Sequence, residues 1–312
     1  MTAMGVAISV LMPAYNEAEN LAEVVPATAR QLERLGRPYE IVVVDDGSTD
    51  GTVQTVRSLR DDNPAVRLLR LRRNQGKSAA LSAGLARVGG EVIVLMDADG
   101  QDDPGQIHRL LDAVSGGLDM VTGKRAVRHD RIAKRWPSKL YNAATRRISG
   151  VEGSDFNSGF KAMRREVAES LDLYGELHRY IPVLAAWNGF SIGEVEVEHR
   201  PRLHGESKFG RARFWRGLLD LVTVKFLTTY TLRPFHLFGG IGAALGLVGS
   251  LLLGWLTVVK ITGHAVGGRP ALIAGVLLMV LAAQFLSLGL LAELLVHVNR
   301  APSGVDLVRD EE

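Results

Sequence analysis

The chain contains no cysteine in 312 residues. Disulfides and thiolate metal sites are therefore excluded, and a reducing compartment is suited though not required. No excess of one charge is present either. Lys and Arg number 37 against 34 Asp and Glu, a net charge of +3 that gives no footing for nucleic-acid binding. Two nucleotide signatures are missing. Gly76-Lys77-Ser78 has the ending of a P-loop, but Leu71 stands where its leading glycine belongs, and no G-x-G-x-x-G follows the first apolar run. A dinucleotide-dependent oxidoreductase has no support. The start of the chain carries no basic cluster, and the apolar run Ala7–Pro13 is too short for a leader. It reads as a first strand, so the polar part of the chain is expected to stay on the side where it is made.

What is present is unevenly placed. Hydrophobic residues make up 46% of the chain, but 234–298 is almost wholly apolar. Two stretches, 234–259 and 270–298, each exceed the roughly 20 residues that cross a bilayer core. A short Gly-rich turn, 260–269, joins them. Arg200, Arg202, Lys208, Arg211, Arg213, Arg216, Lys225 and Arg233 precede the first span, while the turn carries only Lys260 and Arg269. The positive-inside rule puts the large N-terminal part and the tail in the cytoplasm. Gly242, Gly246, Ser250 and Gly254 are spaced by four and form a smooth ridge, which serves either packing of the two spans or an oligomer. Glu293, near the cytoplasmic end of the second span, is placed where a carboxylate reaches water.

Ahead of the spans, strands and helices alternate. Strands are expected at Ala7–Pro13, Glu40–Asp45, Val66–Leu71 and Glu91–Met96; helices at Asn20–Leu35, Thr52–Arg60, Lys77–Val88 and from Pro104, capped by Asp102 or Asp103. Strands this apolar between amphipathic helices indicate a mostly parallel, Rossmann-like α/β sheet covered on both faces. Ligands bind beyond the C-terminal ends of such strands. There the sequence is acidic: Asp45-Asp46 after one strand, Asp97-Ala98-Asp99 after another. Two carboxylates one residue apart at the end of a buried strand can ligate a hard divalent cation.

Four segments, Pro13-Ala14-Tyr15-Asn16-Glu17, VDDGSTDGT at 44–52, Asn74-Gln75-Gly76-Lys77 and Asp97-Ala98-Asp99-Gly100-Gln101, together resemble glycosyltransferase family 2 with its GT-A fold. DFNSGF at 155–160 and HRPRLHGESK at 199–208 are similar to the branch that makes polyprenyl-phosphate sugars, including dolichol-phosphate mannosyltransferases. The likeness covers about 7–230. It implies that Pro13, Tyr15, Glu17 and Asp46 line the base and ribose pocket. Asp97 and Asp99 would hold Mg²⁺ or Mn²⁺ against the donor diphosphate, with Ala98 and Gln101 completing that loop and Lys77 in the donor set. Asp155 is the carboxylate expected near the reacting sugar. Arg125, Arg135, Ser138, Arg202 and Lys208 are expected to bind the acceptor phosphate. The chain departs from the family's polymerising members, whose Gln-x-x-Arg-Trp is replaced by Leu177-His178-Arg179-Tyr180.

The basic segments 131–148, with Trp136, and 211–230, with Trp215, have one apolar stripe each and suit a membrane surface. The expected organisation is a GT-A domain at 1–210, amphipathic juxtamembrane helices at 211–233, two transmembrane helices at 234–298 and a cytoplasmic tail at 299–312. The expected activity is inverting transfer of a hexose, with UDP-glucose and GDP-mannose the leading donors, to polyprenyl phosphate at the cytoplasmic face of the plasma membrane. Membrane lipids are partners, a homo-oligomer through the spans is open, and the role is in cell-envelope glycan synthesis. The rival readings are a GT-A enzyme acting on a lipid or glycan hydroxyl, which would need a base, and a catalytically silent scaffold.

Overall fold

The computed structural model describes residues 6–125, 158–198, 226, 230, 233–267 and 270–299. Asp155, Arg135, Ser138, Arg202, Lys208 and the basic helix expected at 131–148 lie outside them, as does the segment 211–230 apart from Phe226 and Tyr230. The chain forms two compact units, 1–224 and 225–312.

The first unit is built on a seven-stranded sheet. Its strands are β1 (Ile8–Ala14), β2 (Tyr39–Asp45), β3 (Val66–Arg70), β4 (Val92–Leu95), β5 (Met120–Arg125), β6 (Lys161–Arg164) and β7 (Ile192–Val197), in the order β3-β2-β1-β4-β6-β5-β7. β1 pairs in parallel with β2 and β4, with Ala14 opposite Asp45 and Leu11 opposite Leu95. The C-terminal ends of these three strands therefore open on one edge. The central strands are apolar on both faces, and Val10, Leu11, Val42, Val43 and Val94 are fully buried.

The covering helices are α1 (Ala18–Arg34), α2 (Thr52–Asp62), α3 (Lys77–Leu85) and α4 (Ile107–Ser115), followed by the short α5 (Arg165–Glu169) and α6 (Ile181–Trp187). α1 buries Leu21, Val24, Val25, Thr28 and Leu32, a stripe at three- and four-residue spacing. α3 is made of small residues and lies close to the sheet. A Cβ on Gly84 would come within 2.3 Å of Leu11.

Three features differ from the sequence expectation. β6 enters antiparallel between β4 and β5, in a stretch where only four residues pair. The helix expected from Pro104 starts as a 3-10 turn, Pro104–Gln106, whose first turn is capped by Asp103 accepting from the Gly105 N–H at 3.0 Å; α4 proper begins at Ile107. Arg125, expected just after the fifth strand, is its last residue.

The second unit holds α7 (Pro234–Ile261) and α8 (Pro270–Asn299). Only 17% and 11% of their most apolar windows are buried within the fold, so they are not the core of a soluble domain; they are transmembrane helices. Their packing face runs through Gly242, Gly246 and Gly249. A Cβ on Gly242 would sit 3.0 Å from the Ala282 carbonyl and from Leu286, and one on Gly249 3.1 Å from Leu278. Gly254, at the far end of the expected ridge, has open space around it. The ridge thus serves packing within the chain over part of its length. The Glu293 carboxylate accepts from the Phe235 N–H at 3.2 Å. That N–H belongs to the first turn of α7, where no helix carbonyl is available and the helix dipole favours a negative charge.

Gly242→Leu should therefore destabilise the hairpin by about 1–3 kcal/mol through overpacking, whereas Gly254→Leu should be near neutral. Thermal unfolding of the two variants in the same detergent reads the difference, and equal effects would contradict this packing face.

Candidate active site

Acidic residues crowd the edge where β1, β2 and β4 end, and most are buried: Asp45, Asp46, Asp99, Asp102 and Asp103 are each at most 9% exposed. Backbone N–H groups meet them one by one. Asp45 accepts from Ser48 at 3.0 Å. Asp46 uses both oxygens, accepting from Gln75 at 2.7 Å and Gly76 at 2.8 Å. Asp99 accepts from Gln101 at 3.2 Å, and Asp102 from the N–H of Asp97 at 3.3 Å. Hydrogen bonds of this kind offset the cost of burying a polar side chain.

The loops are shaped for this. Gly47 has φ +71°, and a Cβ there would lie 2.6 Å from the backbone of Arg73 and Asn74. That close approach brings the 74–76 loop onto Asp46. Asn16, also left-handed at φ 56°, holds the loop after β2: its N–H donates to Ser48 Oγ at 2.9 Å, and its Oδ1 accepts from the Thr49 N–H at 2.8 Å. Glu17 donates its N–H to Thr52 Oγ1 at 3.0 Å and accepts from Asn20 Nδ2. Pro13 pairs with Val44 at the end of β1, and Tyr15 beyond it is half-buried.

Two of these carboxylates are also met by a side-chain cation: Arg70 Nε lies 3.8 Å from Asp45 Oδ2, and Lys77 reaches Asp97. The Lys77 ammonium donates to Asp97 Oδ1, and both side chains are about one-third exposed. Gly159 lies against the same carboxylate. A Cβ at Gly159 would fall 2.5–2.7 Å from its three atoms, so only glycine leaves room for Asp97 in this position. Ala98 is buried and Gln101 half-buried. Asp97 and Asp99 fit a hard divalent cation as oxygen donors. Among the described residues no cluster of three His, Asp or Glu closes a cage around it. Such a cation would complete its coordination from a bound phosphate and water, as Mg²⁺-type sites do.

A second group of charges stands behind Lys77. Ser78 Oγ lies 2.9 Å from His178 Nδ1 and accepts from the His178 N–H at 3.1 Å. Lys161, 2% exposed, donates to the Ser158 carbonyl. Burial first, then the charges of Lys77 and Arg179, with Lys161 adding to them against Asp97, push the His178 pKa down to about 2. The imidazole is neutral at physiological pH.

Of the donor-site residues expected from the sequence, Pro13, Tyr15, Glu17, Asp46, Asp97, Ala98, Asp99 and Gln101 lie at or just beyond the C-terminal ends of β1, β2 and β4, while Lys77 opens α3 after β3 and reaches Asp97. Asp46 has a duty that the sequence does not show, the grip on the 74–76 loop. Arg125 ends the edge-side strand β5. Gly159 stands inside the quoted DFNSGF segment, but its reason is visible only in space. His178 was noticeable only as a departure from Gln-x-x-Arg-Trp.

Residues 9–172 match the family model described as glycosyl transferase family 2. Among curated proteins the chain is similar to dodecaprenyl-phosphate galacturonate synthase of Rhizobium johnstonii, 35% identical over 294 residues, covering 92% of this chain and 87% of that one. It is also similar to undecaprenyl-phosphate 4-deoxy-4-formamido-L-arabinose transferase of Pseudomonas aeruginosa, 38% identical over 293 residues, covering 92% and 84%. Among solved structures, glucosyl-3-phosphoglycerate synthase from Mycobacterium tuberculosis with Mn²⁺ and UDP-glucose superposes with a TM-score of 0.55 at 22% identity, covering 71% of this chain and 79% of that one. Mannosyl-3-phosphoglycerate synthase from Rubrobacter xylanophilus gives 0.58 at 18%, covering 71% and 74%. These two likenesses establish the fold.

Two predictions follow from the geometry. Gly159→Ala should lower turnover about ten- to hundredfold, the equivalent of about 1–3 kcal/mol of steric displacement at Asp97, while circular dichroism stays that of the wild type. Turnover close to wild type would show that Asp97 need not hold this place. The second concerns acid. Native His178 stays neutral down to about 2, whereas the unfolded chain protonates it below about 6.5. The unfolded state then binds more protons, so stability should fall as pH drops below about 6.5 and be unaffected by this residue above it. In His178→Asn this part of the acid sensitivity should be missing from melting curves between pH 7 and pH 5.

Proposed function

The chain belongs to glycosyltransferase family 2, and on that footing we propose that it transfers a sugar from a nucleotide donor to the phosphate of a polyprenyl lipid. One observation carries the acceptor. Two relatives that align along 92% of the chain are each named for a polyprenyl phosphate while their sugars differ. The lipid phosphate is thus the shared element, and the sugar is the variable one. UDP-glucose and GDP-mannose remain the leading donors on the sequence, beside nucleotide-activated forms of the sugars named for the relatives.

In this reading the donor lies over the loops after β1, β2 and β4. Pro13, Tyr15 and Glu17 border the base and ribose, and Asp97 and Asp99 face the diphosphate. A divalent metal held by Asp97 and Asp99, Mg²⁺ or Mn²⁺, would offset the charge that develops on the leaving diphosphate. Lys77 supplies a positive charge at the same place. An oxygen of the lipid phosphate attacks the anomeric carbon as the bond to the diphosphate breaks, which inverts that carbon and releases the nucleoside diphosphate. A phosphate monoester has its second pKa near about 6 and is largely dianionic at neutral pH, so no base is required. The protein's task is to position two anionic partners and shield them from each other. Arg125, Arg135, Ser138, Arg202 and Lys208 are assigned to the acceptor phosphate and Asp155 to the neighbourhood of the sugar. The surplus of Lys and Arg ahead of Pro234 favours a cytoplasmic catalytic domain at the plasma membrane.

The test offers the full-length protein a panel of nucleotide sugars with polyprenyl phosphate or with the free polyprenol, read by mass spectrometry of the lipid. Product should form with the phosphate alone, and be lost in excess EDTA and in Asp99→Ala. Efficient glycosylation of polyprenol would sink the acceptor assignment and favour a hydroxyl acceptor with a carboxylate base. Undiminished activity in chelator would sink the metal.

A further inference from the structure

Lys77 lies between two anchors. On its N-terminal side Asp46 takes the N–H groups of Gln75 and Gly76. On its C-terminal side Ser78 is tied to His178, a residue 100 positions later, in the 3-10 turn Leu177–Tyr180. α3 needs such anchors, because its N-cap is Gly76 at φ +90° and no side-chain hydrogen bond caps it. A lysine has much rotamer freedom to lose when it is held in one geometry. The first turn that carries it must therefore be fixed if the ammonium is to meet Asp97 at low cost.

The direction of the Ser78–His178 bond follows from its companion. Ser78 Oγ accepts from the His178 backbone N–H, and the tautomer with its proton on Nε2 lets Nδ1 take the hydroxyl proton as well, so that Ser78 is used both as acceptor and as donor. The charges of Lys77, Arg179 and Lys161 act on the ring against that of Asp97. A cationic side chain in this place would be repelled, and an apolar one would leave the proton of the buried Ser78 hydroxyl without this acceptor, its oxygen keeping only the backbone N–H of residue 178.

We propose that His178 is a positioning residue for sugar transfer, acting through Ser78 to hold the first turn of α3 so that Lys77 meets Asp97 and then the donor diphosphate. The diphosphate half of this statement rests on the donor reading given above; the Lys77–Asp97 half does not. Loss of the imidazole contact leaves Ser78 tied by the backbone N–H of residue 178 alone; the turn loosens, and Lys77 then spends less of its time at the carboxylate. His178 itself touches neither donor nor acceptor in this role.

The test uses the full-length protein in detergent, without donor or metal, and measures the rate of amine acylation of Lys77 by peptide mass spectrometry, with Lys124 as internal reference. His178→Phe keeps a ring but removes the acceptor, and Ser78→Ala removes the donor from the other side. Each should raise Lys77 labelling about fivefold, the equivalent of one hydrogen bond of about 1 kcal/mol. His178→Asn, whose amide oxygen can stand in for Nδ1, should recover most of the difference. In nucleotide-sugar turnover, His178→Phe should lower kcat about tenfold with little change in the donor KM. The same substitution should have almost no further effect in a Lys77→Met background. Wild-type labelling of Lys77 in folded His178→Phe and Ser78→Ala would overturn the proposal, as would effects of His178→Phe and Lys77→Met that simply multiply. A protein whose Lys77 labelling responds as expected, but which puts no sugar on a lipid phosphate, would support the positioning and refute the acceptor reading.

Discussion

Crowding of carboxylates at one sheet edge is the constraint that the rest of the first unit answers. Asp45 and Asp46 end β2, and Asp97, Asp99, Asp102 and Asp103 follow β4, next to the shared strand β1. Left to themselves, buried like charges would protonate or push the loops apart. Each loop instead turns N–H groups inward, and the turns that do so need left-handed backbone at Asn16, Gly47, Gly76 and Gly100. The fold therefore stores its negative charge in a rigid cradle of dipoles. Asp97 is met by the Lys77 ammonium, and that pair is the adjustable part of an otherwise fixed edge.

A related solution operates at the opposite end of the strands. Glu40, at the start of β2, is 5% exposed and accepts from Ser9 Oγ at 2.6 Å, from the Gly89 N–H and from Arg67. Burial alone would raise its pKa, but the Gly89, Ser9 and Arg67 hydrogen bonds together hold it below the ordinary value. Here an arginine and backbone groups satisfy a carboxylate completely enough to make it structural. At Asp97 the lysine is one-third exposed, a compact charge on a flexible stem.

The legibility of the sequence follows the range of the forces involved. β1, β2 and β4 were readable because long runs of Val, Ile and Leu must be buried on both faces. α7 and α8 were readable because apolar stretches of that length have no other stable place. The acidic loops were recognisable by order and type. What could not be read depends on contacts across the chain. β6 is Lys-Ala-Met-Arg, with a buried lysine and no strand-like alternation, and it pairs only because β4 and β5 present matching edges. Gly159 is required by a carboxylate 62 residues earlier, and His178 by a serine 100 residues earlier. Neither leaves a local mark. Asp46 was readable as a site residue, but the loop bonds it makes with both oxygens were not.

The bond from Phe235 to Glu293 fixes more than a helix end. At about 1.5 Å per residue, the 28 residues of α7 reach about 42 Å, well beyond the roughly 30 Å of hydrocarbon in a typical bilayer. A helix pair this long must tilt or leave one end outside the oily layer. The ionisable clasp between the two helices chooses which end, because a carboxylate is far cheaper at the headgroup level than at the bilayer centre. It acts as a depth mark, setting the level at which the hairpin floats and making that level sensitive to membrane thickness.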